Sequence, residues 1–193
     1  MIRWAKLLAW SSLVWMTAEG VIAVVAGILA GSIALIGFGI DSGIEGIASV
    51  VIIWRFWGSR ALSETAERRA QKLVAVQFFI LAPYVGIESV RALVTGHEAD
   101  VSWLGIGLTA VSAVLMPAFA VAKRRVGDAL GSRATAAEGM QNMLCAYLSI
   151  AVLAGLALNA AFGFWWADPL AGLVIAGVAV REGLESWRGE DCC

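Results

Sequence analysis

The sequence predicts an all-α integral membrane protein with six transmembrane helices and both termini in the cytoplasm. Of its 193 residues, 60% are hydrophobic and only 15% are charged, and the mean hydropathy is +0.81, far outside the mixture typical of soluble globular domains. Apolar stretches of about 20 residues, the length that crosses a bilayer, recur along the chain. The segments between them alternate between basic and short or acidic, as expected for loops on opposite sides of a membrane.

The apolar stretches define six spans, which we expect to form a single transmembrane domain without a soluble domain. The N-terminal segment resembles a signal peptide, but its apolar region continues to about Leu29 without a cleavage motif. We therefore expect this segment to be retained as the first transmembrane helix. In the sixth span, Asp168 and Pro169 suit a helix cap and the first helical position. The predicted spans are 7–29, 32–57, 73–93, 101–121, 134–162 and 168–187.

The basic residues set the orientation. Of the 14 lysines and arginines, 13 lie at the termini or in and beside the segments 60–72 and 123–133, and Arg91 is the exception. The positive-inside rule therefore places both termini and both basic segments in the cytoplasm. We expect a multi-pass protein of a bacterial cytoplasmic membrane, in contact with lipid. We expect no nucleic-acid partner, since no nucleic-acid-binding patch is evident in the sequence.

Two carboxylates, Asp41 and Glu45, interrupt the second apolar span. Their spacing of four residues puts both on one helix face, about one turn apart. A rise of about 1.5 Å per residue places Asp41 about 13 Å and Glu45 about 20 Å below the outer surface, around the centre of a core ~30 Å thick. A carboxylate there costs roughly 2.5–3.5 kcal/mol, and no Lys or Arg is predicted at that depth. Protons, a bound cation or hydrogen bonds from neighbouring helices must compensate the pair.

A second polar pair lies at the same height in the fifth span. Gln141 and Cys145 are also four residues apart, and they fall roughly 10 Å and 16 Å from the inner surface. We therefore expect the four groups to converge from two helices into one polar site. Glu138 lies on the same face, one turn nearer the cytoplasm, as an accessory ligand.

This donor set suits a divalent metal ion as substrate. Two carboxylates neutralise a dication, while an amide oxygen and a thiol add one hard and one soft ligand, a set that does not choose cleanly among zinc, cadmium, manganese and iron. The empty site would take up protons instead, so metal and proton binding would exclude each other. Such competition is the physical basis of proton-coupled metal antiport. We expect a zinc-like divalent ion and protons as partners and no permanently bound cofactor.

Three stretches resemble the transmembrane domain of the cation diffusion facilitator family, specifically its second, fifth and sixth helices: GSIALIGFGIDSGIEGIASV (31–50), RATAAEGMQNMLCAYLS (133–149) and WADPLAGLVIAGVAV (166–180). The resemblance implies a metal exporter that forms a homodimer, held here by helix packing because the family's cytoplasmic domain has no counterpart in the sequence.

Carried over position by position, the resemblance assigns the family's four metal ligands to Asp41, Glu45, Gln141 and Cys145. The second helix keeps the acids of the family. The fifth offers an amide and a thiol where zinc-transporting members carry histidine and aspartate.

Two other functions stay open. A non-transporting scaffold or metal sensor would keep the fold and lose half of the ligand set, in keeping with Gln141 and Cys145. An exporter of lipophilic cations would use Glu19, an acid of the first span with no second acid on its face.

We do not expect an enzyme, because the sequence has neither an HExxH motif nor a Gly-x-Ser-x-Gly elbow. The single histidine, His97, falls in an outer loop, where we expect solvation and no metal ligation. Cys192 and Cys193 at the C-terminus would either deliver metal to an inward-facing cavity or form an inert tail.

Overall fold

A computed structural model describes residues 2–55, 64–130 and 133–188. These ranges form six α-helices, which confirms the all-α fold class, and each helix contains most of one predicted span. The helices are α1 (Ile2–Ala30), α2 (Ile33–Arg55), α3 (Glu64–Thr95), α4 (Trp103–Leu130), α5 (Arg133–Phe162) and α6 (Ala167–Arg188).

The two basic segments are not loops over most of their length. The helix α3 already begins at Glu64, and α4 continues to Leu130. The segment 60–72 is rich in Ala, Glu and Arg, and 123–133 begins with Lys and two Arg. All of these are strong helix formers, so the helices extend past the apolar part of each span. The prediction of loops at 60–72 and 123–133 is therefore wrong wherever these residues are described.

Four stretches in the described residues are long and apolar enough to cross a bilayer: Arg3–Ala30, Phe78–Thr95, Trp103–Leu130 and Gln141–Phe162. Large apolar side chains cover the outside of the bundle, among them Leu29, Val94 and Val114. A surface of this kind is stable against lipid and unfavourable in water.

The helices pack in pairs. Helix α1 lies along α2, α4 along α5 and α3 along α6. Further contacts of α1 with α4 and of α2 with α5 join the first two pairs into a four-helix group, and the α3–α6 pair packs against its α2 and α5 side. Any site built between α2 and α5 is therefore enclosed on all sides by protein.

Glycines allow α1 and α2 to approach closely, as small residues do between membrane helices. A Cβ atom on Gly20 would lie 2.9 Å from the Gly39 carbonyl oxygen, and one on Gly27 would lie 2.8 Å from the Ile36 nitrogen. Gly31 has a different role, because with φ at +66° it forms the turn between the two helices.

Because the helices alternate in direction, the bundle has two distinct ends. We call the end that holds residues 2, 55, 64, 130, 133 and 188 the terminal end, and the end with the turns at 31–32, 96–102 and 163–166 the turn end. The sequence prediction places the terminal end in the cytoplasm.

Asp168 links α6 to α2 at the turn end. Its carboxylate accepts a hydrogen bond from Ser32 Oγ at 2.5 Å and one from the Ile33 amide at 3.1 Å. The predicted role of Asp168 as the cap of α6 is wrong, because α6 begins one residue earlier and the carboxylate instead binds the first turn of α2. A carboxylate is stabilising at a helix N-terminus, whichever helix supplies it.

Candidate metal centre

Asp41 and Glu45 of α2 and Cys145 of α5 meet in the interior of the four-helix group. One carboxylate oxygen of each acid and the cysteine sulfur all lie within 4.8 Å of one another. We call these three residues the acid–thiol cluster. The two acids share a face of α2 because they are one turn apart, and the packing of α2 on α5 adds the thiol.

The cluster is closed off from the outside. The exposed fraction of the residue is 4% for Asp41, 7% for Glu45 and 0% for Cys145. Glu45 Oε2 is buried and finds no hydrogen-bond donor among the described residues. A buried carboxylate oxygen without a donor is costly, and such a group calls for a proton or a cation.

The spacing of the cluster fits a metal ion. Zinc binds carboxylate oxygens at about 2.0–2.2 Å and thiolate sulfur at about 2.3 Å, so its ligand atoms stand roughly 3.3–3.8 Å from one another. The three side chains would each need to move inward by less than about an ångström to reach that spacing. Oxygen and sulfur donors together are typical of zinc and its heavier relatives, whereas all-oxygen sites suit magnesium and calcium.

Gln141, the fourth residue of the predicted site, is half-buried on α5. It lies one turn from Cys145 toward the terminal end, so that the two residues share a helix face. Gln141 thus remains a candidate for the fourth ligand position.

Glu19 is not the isolated acid that the sequence suggests. It is completely buried, accepts a hydrogen bond from Ser42 Oγ of α2 at 3.3 Å and another from Ser112 Oγ of α4. Its carboxyl group also interacts electrostatically with Asp41. No second acid shares the face of Glu19 on α1, as the sequence predicts, but α2 supplies Asp41 as an acidic neighbour.

Glu138 lies outside the acid–thiol cluster and forms an ion pair with a lysine. Lys123 Nζ is 2.8 Å from Glu138 Oε1, and the hydroxyl of Ser49 donates to the same oxygen at 2.6 Å. The exposed side-chain fractions of Lys123 and Glu138 are 1% and 5%. Lys123 begins the basic segment 123–133, and it is buried because this segment continues α4 as a helix that packs on α5.

The pairing could have been found in the sequence. Lys123 and Glu138 lie on either side of the short α4–α5 connection at 131–132, seven residues before the end of α4 and five after the start of α5. In an antiparallel helical hairpin, residues at similar distances from the connection lie side by side. Close packing assists the contact, because a Cβ atom on Gly139 would lie 2.9 Å from the Ala120 carbonyl oxygen.

Of the remaining predicted residues, the structure describes His97, which lies outside this cluster. His97 is exposed in the loop after α3, as expected, and its ring lies against Gly31 at the turn end. Cys192 and Cys193 lie outside the described residues.

Six helices, four of them with described stretches long and apolar enough to cross a bilayer, define a multi-pass membrane protein with a buried polar cluster. Residues 9–188 match the cation efflux transmembrane domain, and the chain belongs to that family, which confirms the resemblance seen in the second, fifth and sixth helices. The description of the family names cation efflux, which is the activity of a membrane transporter.

Two curated relatives, both of them microbial, are named as uncharacterized transporters. One, from Methanocaldococcus jannaschii, is 27% identical over 165 residues, which cover 81% of this chain and 58% of the relative. The other, from Synechocystis, is 25% identical over 153 residues, which cover 75% of this chain and 49% of the relative. The chain thus spans about half the length of these relatives.

Proposed function

We propose that this protein exports a divalent metal ion in exchange for protons and that Asp41, Glu45 and Cys145 bind the ion, with Gln141 as the fourth ligand. The single observation that carries the proposal is the convergence of two carboxylates and a thiol, all buried, within 4.8 Å. The family supports cation transport in general, and the donor set supports the choice of a divalent, zinc-like ion.

The charges of the cluster support the coupling to protons. Two carboxylates neutralise a dication, and ligands must give up their protons before a metal binds them. After the metal leaves, charged carboxylates in a low-dielectric interior would be unfavourable, so protons take its place. Metal and protons then occupy the same residues in turn: the site carries the metal in one direction, releases it, and carries protons back in the other.

The direction of export follows from the proposed orientation. With the terminal end in the cytoplasm, the metal enters from that end and leaves at the turn end, while protons travel the opposite way. The excess of Lys and Arg near the terminal end supports this orientation.

Transport by the purified protein in sealed vesicles tests the proposal. Vesicles with a proton gradient should accumulate zinc or cadmium and lose the gradient faster, and Asp41→Ala should abolish both fluxes. Glu98→Gln serves as the matched control, because Glu98 is an exposed acid in the loop after α3. Coupled transport that persists in Asp41→Ala would contradict the assignment.

A metal sensor or scaffold is the second candidate, favoured by the amide and thiol at the fifth-helix positions. Calorimetric titration with several metals, combined with the transport assay, separates the two functions. Metal binding that Glu45→Gln abolishes, without any transport by the wild type, would identify a sensor. A lack of metal binding would identify a scaffold.

The third candidate, an exporter of lipophilic cations through Glu19, is less well supported. Glu19 is enclosed by α1, α2 and α4, where it accepts hydrogen bonds from two serines. We therefore assign Glu19 to the surroundings of the metal site. Drug resistance that depends on Glu19 but not on Asp41 would overturn this assignment.

A further inference from the structure

A second buried polar group connects all four helices of the four-helix group. Lys123 Nζ donates to Glu138 Oε1 at 2.8 Å and to Asn142 Oδ1 at 2.9 Å. The Ser49 hydroxyl donates to Glu138 at 2.6 Å and lies 3.1 Å from the Ser12 hydroxyl. We call these five residues the lysine network. It contains a residue of α1, one of α2, one of α4 and two of α5, and all five side chains are buried.

The lysine network lies between the acid–thiol cluster and the terminal end. Glu138 precedes Cys145 by seven residues on α5, which corresponds to about 10 Å along the axis. Ser49 follows Glu45 by four residues on α2, or about 6 Å. A cation that moves between the cluster and the terminal end through the interior of the four helices must therefore pass Lys123 and Glu138.

Both directions from the cluster contain buried polar side chains, but they differ in charge. Toward the turn end, large apolar residues such as Phe38 and Val152 alternate with the uncharged polar residues Ser149 and Thr109. Toward the terminal end lies the ammonium group of Lys123, which is 2.8 Å from its carboxylate partner. A cation that leaves the cluster in that direction therefore meets a buried positive charge.

The contacts of the lysine network are suited to closing this path. The ammonium group of Lys123 occupies the position beside Glu138 that a passing cation would need, and a second positive charge at that place would be strongly repelled in a medium of low dielectric. A buried ion pair is also a poor source of stability, since desolvation offsets most of the attraction. A role in conformational switching therefore explains a buried ion pair at this position better than a role in stabilising the packing of the helices.

We propose that the Lys123–Glu138 pair is the gate of the ion path on the terminal side. When the pair is formed, the acid–thiol cluster is sealed from the terminal end, and when the pair separates, the path opens. The function of the gate rests on the proposed transport of metal through the cluster, but the sealing itself can be measured without metal.

The native Cys145 thiol reports whether the path is open. Cys192 and Cys193 are replaced by serine, and the protein is reconstituted in vesicles with a C-terminal tag. A membrane-impermeant maleimide is added outside the vesicles. A protease added outside can remove the tag only from molecules whose terminal end faces outward, and labelling is measured on these molecules. In the double variant Lys123→Met with Glu138→Gln, labelling of Cys145 should accelerate by about tenfold, a change in population worth ~1.4 kcal/mol.

The control is the double variant Arg181→Met with Glu185→Gln, which removes an exposed ion pair near the same end of α6. It should label at the rate of the parent protein. An unchanged labelling rate in a Lys123→Met, Glu138→Gln protein that elutes as a folded species would overturn the gate. If that variant does not fold, Ser49→Ala takes its place, because it removes only one hydrogen-bond donor to Glu138. Loss of one hydrogen bond should accelerate the labelling of Cys145 about fivefold. An unchanged labelling rate in folded Ser49→Ala would likewise overturn the gate.

Metal titration of the same variants separates the gate from the proposed function. Neutralising the pair should leave metal affinity within about threefold of the parent, because the pair contributes no ligand. Loss of metal binding in the folded double variant would overturn the gate and make Glu138 a ligand. Faster labelling of a protein that binds no metal would support the sealing by the pair and refute the proposed function.

Discussion

Removal of Lys123 alone should destabilise the protein far more than removal of Lys123 and Glu138 together. Lys123→Met leaves the Glu138 carboxylate buried, with the Ser49 hydroxyl still donating to it but without the ammonium group 2.8 Å away. A buried charge that loses its partner costs about 3–5 kcal/mol, whereas neutral replacement of both partners at similar volume is often harmless. The free energy of unfolding of the double variant Lys123→Met with Glu138→Gln should therefore be at most about 1 kcal/mol below that of the wild type, or higher than it.

The free energy of unfolding is measured in detergent, with tryptophan fluorescence as the signal. Four proteins are compared: the wild type, each single variant and the double variant. The cycle isolates the energy that couples the two residues. Arg181→Met serves as the control, since it breaks an exposed ion pair and should cost less than about 1 kcal/mol. If Lys123→Met lowers the free energy of unfolding by less than about 1 kcal/mol, the pair is reached by water and is not buried as described.

Three further predictions concern the site and its framework. Cys145→Ser should weaken cadmium binding more than manganese binding, measured by titration, because it removes the soft ligand; equal losses would place the thiol outside the site. Metal binding should release protons into weakly buffered solution, and the combination Asp41→Asn with Glu45→Gln should abolish the release; release that persists would assign the protons to other groups. Gly20→Val should lower the unfolding midpoint, because its Cβ would press on the α2 backbone 2.9 Å away, whereas Gly43→Ala, with open space around its Cβ, should not; equal effects would contradict the close approach of α1 and α2.

The number and order of the helices could be predicted from the sequence because hydropathy and helix length are local properties. The ends of the helices were harder to predict. A basic segment such as 123–133 satisfies the positive-inside rule whether it is a loop or a helical extension, and hydropathy does not separate the two. The structure resolves it by burying Lys123 against α5.

The convergence of the acid–thiol cluster could also be predicted, since Asp41 and Glu45 share a helix face and Cys145 lies at their height. The neighbours of the acids on other helices could not, because the rotation of each helix about its axis is set by packing and leaves no trace in hydropathy. Glu19 illustrates this limit. It looks isolated along α1, and the serines that hold it come from α2 and α4.

Glycine spacing was informative in a similar, partial way. Gly39 and Gly43 have the four-residue spacing that is typical of close helix packing. A Cβ atom on Gly39 would lie 2.8 Å from the Val24 nitrogen of α1, whereas one on Gly43 would have no other atom within 4 Å. The spacing therefore indicates that α2 packs closely on another helix, while the choice of glycines depends on how α1 is rotated.

The most direct test of the metal site is a structure of the protein soaked with zinc or cadmium, with anomalous scattering used to locate the ion. We expect one anomalous peak within about 2.0–2.3 Å of a carboxylate oxygen of Asp41, a carboxylate oxygen of Glu45 and the sulfur of Cys145. A peak bound by other residues, or no peak between α2 and α5 at saturating metal, would contradict this expectation.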